Sequence, residues 1–197
     1  MGELMNKYRI VLAGPAGTGR SSVAEALSLK LGIPFLKAKD ITNPILKRDG
    51  YDYASGVQVE KFLQTKSRQI EILNKTMEQV KTESFITDRG LIDLAAYAML
   101  GVDYLDAEDI DRILCMCQAN IKRYARIYLF RPGELIDNQK RTLNRHYQNL
   151  VYSVELGLLS DWKARFSIIE NCGMDTELKL DSIINDINYS RDTSERG

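Results

Sequence analysis

The amino-acid sequence predicts an α/β chain built on a five-stranded parallel sheet with helices on both faces. Three observations carry the prediction. Five short apolar runs alternate with stretches whose apolar residues recur at helical spacing, as right-handed strand–helix–strand crossovers require. The runs are apolar throughout rather than alternating, which suits strands covered on both sides. The conspicuous polar residues Gly14, Asp40, Asp88 and Arg131 follow the first four runs in turn, so a parallel sheet collects them on one rim.

The first strand is "YRIVLA" (8–13). Val23, Ala26, Leu27 and Leu31 then fall at helical spacing, and Gly32 ends that helix. "IPFLKA" (33–38) is the second strand, closed by Asp40 and the turn-prone "ITNP", after which "KRDGYDYASG" reads as a loop. One long helix is expected near 57–81, with Val59, Phe62, Leu63, Ile70, Leu73, Met77 and Val80 on its apolar stripe. "SFIT" (84–87) is the third strand, ending at Asp88-Arg89-Gly90, and 91–100 is helical.

Asp106 caps the next helix, whose Ile110, Ile113, Leu114 and Cys117 serve either the core or a homodimer seam. "ARIYLF" (125–130) is the fourth strand, stopped by Arg131-Pro132-Gly133. Residues 141–159 are helical, with Leu143, Tyr147, Leu150, Val151, Val154 and Leu158 on one side. "FSIIEN" (166–171) is the fifth strand, 176–189 the closing helix, and 191–197 a frayed polar tail.

Composition narrows the functional classes. At 197 residues, 44% apolar and 27% charged, the chain suits a single domain spanning 1–190. Lys+Arg and Asp+Glu number 27 each, which argues against nucleic acid as a partner. The absence of a long apolar run or secretory leader implies no membrane and a cytoplasmic location. Cys115, Cys117 and Cys172, with a single histidine, His146, do not supply a zinc set and are read as packing residues.

The stretch "RIVLAGPAGTGRSSVAEAL" (9–27) carries the strongest chemical signal. From Gly14 to Ser21 it follows the phosphate-binding pattern G-x-x-x-x-G-K-[ST], with Arg20 in place of lysine. Gly14, Gly17 and Gly19 let the backbone turn its N–H groups toward a phosphate, and the following helix adds its positive end. Ala16 and Thr18 complete the cradle, Ser21 offers its hydroxyl to Mg2+, and Ser22 reaches the next phosphate. Arg20 keeps the charge but is a planar fork rather than a compact ammonium. Arg20→Lys is therefore expected to retain or improve turnover, and Arg20→Ala to lose nucleotide binding.

"FITDRGLIDLAAYAML" (85–100) is the second informative stretch. Asp88, at the tip of a strand beside the glycine loop, can hold Mg2+ or take a proton from an acceptor hydroxyl. Arg89 can grip an anionic acceptor, and Asp93 with Tyr97 frames the acceptor pocket or forms a plain helix pair. Together the two stretches, separated by about 70 residues, resemble the P-loop nucleoside and nucleotide kinases. The likeness is to the thymidylate-kinase-like, deoxynucleoside-kinase-like and nicotinamide-riboside-kinase-like branch, over residues 8 to 172. The chain departs from that pattern at Arg20 and at Gly90, where several relatives carry serine or tyrosine.

The resemblance implies the P-loop NTPase fold, ATP and Mg2+ as cofactors, and a small helical lid at about 131–150. It implies phosphoryl transfer to a nucleoside or nucleoside monophosphate, with a deoxynucleotide as the first expectation. Arg141 and Arg145, four apart and close to Lys140, are the lid arginines that would meet charge on the transferred phosphoryl group. Asp40, Gln64, Arg68 and Gln69 stand where such enzymes hold a sugar or base, and Tyr51 and Tyr53 either stack on a base or anchor their loop. Two alternatives stay open: a kinase acting on a modified base in DNA, and a nucleotide-binding switch without turnover.

Overall fold

A computed structural model of the chain describes residues 8–55, 57–133, 144–170 and 175–194. The elements run β1 (Arg9–Ala13), α1 (Arg20–Leu31), β2 (Phe35–Leu36), α2 (Ala38–Arg48), α3 (Val59–Leu63), α4 (Lys66–Gln79) and β3 (Phe85–Thr87). There follow α5 (Leu91–Met99), α6 (Ala107–Asn120), a single 3-10 turn at Ile121–Arg123, β4 (Arg126–Phe130), α7 (Arg145–Asp161), β5 (Phe166–Ile169) and α8 (Thr176–Ser194). The five strands are parallel in the order β2-β3-β1-β4-β5. β1 lies at the centre, with Val11 level with Thr87 on one side and Ile127 on the other.

The alternating faces of β1 explain the layers. Ile10 and Leu12 point into a core shared with Val23 and Leu27 of α1 and Ile183 and Ile187 of α8. Val11 and Ala13 point into the larger core of α2, α4, α5, α6 and α7. A strand covered on both faces has no use for polar residues, which is why the run "IVLA" reads as it does. In α6, Ile113 and Cys117 are buried in this core, so its apolar stripe serves packing. Asp106 caps α6 by accepting from the Asp109 amide.

Three differences from the sequence reading have physical causes. "ITNP" is not a turn but the middle of α2, with Pro44 inside the helix. A proline in a helix interior costs about 3 kcal/mol. Burial of Ile41, Ile45 and Leu46, each worth roughly 1.5–3 kcal/mol, outweighs it. The expected 57–81 helix is two, broken at Gln64 and Thr65. Side chains satisfy the carbonyls that the break frees: Arg68 donates to Phe62 (2.6 Å) and Gln69 to Leu63 (3.0 Å), while Arg68 lies over the Phe62 ring at 3.9 Å. The α7 face that enters the core is Gln148, Val151, Glu155 and Leu159, whereas Leu150 is exposed. The closing helix continues to Ser194. β2 is shorter than expected because α2 already begins at Ala38.

Candidate active site at the glycine loop

The loop from Gly14 to Gly19 joins β1 to α1 at the centre of the sheet. Gly14 has φ 133°, and a Cβ there would stand 2.7 Å from the Phe130 carbonyl oxygen of the neighbouring strand, so no other residue fits. Gly19 caps α1 in the left-handed region at φ 82°, which turns the loop over the helix N-terminus. Neighbours fix the loop from outside: Gln148 of α7 donates to the Ala16 carbonyl (2.6 Å) and Lys179 of α8 to the Thr18 carbonyl (3.4 Å). Burial holds the Lys179 ammonium below the usual lysine range.

A cavity of about 480 Å³ opens over the loop, lined by Ala16 to Ser22 together with Lys39, Asp88 and Arg89. The Ser21 hydroxyl donates to Asp88 Oδ2, and the Ala38 amide at the start of α2 donates to Asp88 Oδ1 (2.9 Å). Asp88 thus sits between the N-termini of α1 and α2. A second, smaller cavity of about 50 Å³ shares Ala38, Thr42, Leu63 and Arg89 with the first, and adds Gln64, Gln69, Tyr97 and Tyr104. Arg89 stands where the two meet, with its guanidinium 5.1 Å from the Tyr97 ring centre. Burial pushes the Tyr97 phenol above its usual pKa.

Several expected site residues lie elsewhere. Arg20 lines the cavity, but its guanidinium is engaged in the core: its Nη1 is 2.5 Å from Asp93 Oδ1 and 3.4 Å from the Leu12 carbonyl, and the residue is 7% exposed. Asp93 is therefore a buried counterion at 0% exposure, its second oxygen taken by the Gly90 amide (2.9 Å), and not a wall of the acceptor pocket. Asp40 is exposed on the first turn of α2, because a helix rather than a turn follows β2. Gln69 lines the smaller cavity with its amide N–H already given to Leu63, and Arg68 is held by Asp49 (2.8 Å). Tyr51 donates to the Val57 carbonyl (2.5 Å) and packs edge-on against Tyr53 and Phe62, so this pair anchors its loop.

Arg145 opens α7 and is exposed, as is His146; Arg141, Lys140 and Cys172 lie outside the described residues. Arg131 pairs with Glu170 at 2.9 Å. Among the described residues no cluster of three or more His, Cys, Asp or Glu could hold a metal, and no helix is long and apolar enough to cross a membrane.

The sequence reading missed Gln148, Glu155, Lys39 and Lys179. One signal existed for Glu155: a lone carboxylate inside the otherwise apolar run "LVYSVELGLL".

A family model described as "AAA domain" matches residues 9–176. The chain belongs to that family. No curated protein sequence matches it.

Among solved structures, the fold is that of the P-loop nucleoside and nucleotide kinases. A deoxyadenosine kinase from M. mycoides with bound dCTP aligns at TM-score 0.63 and 16% identity, over 91% of this chain and 98% of that one. A thymidylate kinase from Candida albicans aligns at TM-score 0.63 and 16% identity, over 92% and 91%. NadR in complex with NR aligns at TM-score 0.64 and 17% identity, over 89% of this chain and 49% of that one.

Proposed function

We propose that this chain is a cytoplasmic kinase that moves the γ-phosphoryl group of ATP to a nucleoside or nucleoside monophosphate, with a deoxynucleotide as the first acceptor to try. The observation that carries the reading is the contact between Ser21 and Asp88 at the mouth of a glycine-loop cavity that continues, past Arg89, into a second cavity. The likeness of fold to a deoxyadenosine kinase and a thymidylate kinase supports it.

The residues present fit Mg2+-ATP. A hydroxyl and a carboxylate are the hard oxygen donors magnesium takes, and a site completed by phosphates and water needs no larger acidic cluster. When bound, Mg2+-ATP supplies the phosphoryl group and neutralises part of its charge. Backbone N–H groups from Gly17 to Ser22 would hold the phosphates at the α1 N-terminus. Asp88 would either anchor the metal with Ser21 or accept the proton of the attacking hydroxyl. Arg89 would hold the acceptor or the moving phosphoryl group from its place between the cavities, and the amides and tyrosines of the smaller cavity suit a base. The whole is read as one kinase domain over 1–190, with a lid at about 131–150.

The burial of Arg20 against Asp93 favours a second reading, a nucleotide-binding module without turnover. One experiment separates the two: ADP release from Mg2+-ATP with a panel of nucleosides and nucleoside monophosphates. Release that depends strongly on one acceptor supports the kinase. Tight nucleotide binding with no acceptor-dependent release overturns it in favour of the module.

A further inference from the structure

Beneath the glycine loop, three charged side chains from three helices meet out of water: Arg20 of α1, Asp93 of α5 and Glu155 of α7. Arg20 and Asp93 satisfy one another. Glu155 is 0% exposed, and both of its carboxyl oxygens lack a hydrogen-bond partner. They share that condition with Gln148 Oε1 and Tyr152 OH on the same face of α7. An ionised carboxylate left unpaired in such a place costs several kcal/mol, so the group is either neutral or matched by a cation. The Arg20 guanidinium is bonded to Asp93.

We propose, resting on the kinase reading, that Glu155 is a positioning residue of the glycine loop: it keeps its proton while the loop holds a polyphosphate, and losing that proton weakens the hold. The Gly14 amide faces Glu155 from the loop itself, outside hydrogen-bond geometry. A negative charge on Glu155 would therefore act on the loop's own backbone, competing for the dipoles that the loop turns toward phosphate. Its charged and titratable neighbours among the described residues are these. Asp93 opposes ionisation of Glu155, while Arg20, Arg89 and the Gly14 amide favour it. Tyr97 and Tyr152 sense the same carboxyl. Burial is the largest influence and, with Asp93, pushes the Glu155 carboxyl well above the usual range.

The test is Mg2+-ADP affinity from pH 6 to 9 in the wild type and in Glu155→Gln, a neutral variant of the same shape. Ionisation of the nucleotide and of other residues is common to both, so the difference isolates Glu155. Wild-type affinity should fall relative to the variant by up to about tenfold per pH unit above the Glu155 titration. Glu155→Asp should restore the slope. The wild type alone gives an independent readout. Calorimetry in two buffers of different ionisation heat should show proton uptake on binding, and a variant that fails to fold does not affect that measurement. The same slope in both proteins, with no proton uptake, overturns this inference and leaves the kinase reading standing. If neither protein binds Mg2+-ADP, the kinase reading falls and takes this one with it.

Discussion

Arg20 Nη1 lies 2.5 Å from Asp93 Oδ1, joining the first helix after the glycine loop to the helix that follows Asp88 and Arg89. The residue in the lysine position of the phosphate-binding pattern is thus part of the core beneath the loop. One nitrogen, Nη1, makes both of its contacts, to Asp93 and to the Leu12 carbonyl.

This pair should respond to mutation as a buried ion pair. Arg20→Ala or Asp93→Ala leaves an uncompensated charge and should each cost about 3–5 kcal/mol in chemical denaturation. The apolar double variant Arg20→Met with Asp93→Leu should cost less than the two single changes together. Additive losses would show that the two side chains do not interact. Arg20→Ala should also lose Mg2+-ADP binding, through the loop it braces.

Asp88→Asn keeps the shape of the side chain and its acceptance from Ala38, and removes the charge. Turnover with the best acceptor should fall by about 100-fold or more, with the melting temperature little changed. A variant that works at the wild-type rate would remove Asp88 from the chemistry.

Asp49 offers a clean titration. Hydrogen bonds from Arg48 and Arg68 hold its carboxyl at about 2, below the ordinary value of 3.8. A depressed folded-state pKa gives stability that is present above the unfolded value and is lost as pH falls from about 3.8 toward 2. Carboxyl carbon shifts measured by NMR should show the midpoint near 2, and Arg68→Gln should move it upward.

Gly90→Ala should destabilise for lack of space rather than through its backbone. Its φ of −140° is open to any residue, but a Cβ would meet Val11 Cγ2 at 2.6 Å and the Tyr124 hydroxyl at 2.8 Å. The expected loss is about 1–3 kcal/mol, read by thermal melting.

Much of the fold was legible because it depends on uniformly apolar strands, whose pattern survives any tertiary context. β1, β3 and β4 fall within a residue of their expected ends, and the rim that collects Gly14 and Asp88 follows from parallel order alone. What was hidden depends on side chains that break the rule of apolar inside. Pro44 punctuates a sequence, yet here three buried neighbours carry the helix through it. Gln148 and Glu155 lie in the core face of α7 without being apolar, so the apolar stripe included Val151 and Leu158 but passed over them. Arg20 was read as ligand-facing and Asp93 as a pocket residue or half of a helix pair with Tyr97, because nothing in a linear pattern reveals that two polar residues far apart have found each other. The end of β2 and the break after α3 are marked by side-chain contacts that spacing does not record.

The strand order has a kinetic corollary. β1 is flanked on both edges, whereas the outermost strand on the acceptor side is only Phe35–Leu36. Amide hydrogens on β1 should be among the last to exchange with solvent, and those around β2 and α2 among the first. The wall that faces the incoming acceptor can therefore open and reclose many times while the glycine loop, mounted on the most protected strand, keeps its shape. On the kinase reading proposed above, choice of acceptor would be left to the side of the molecule that breathes.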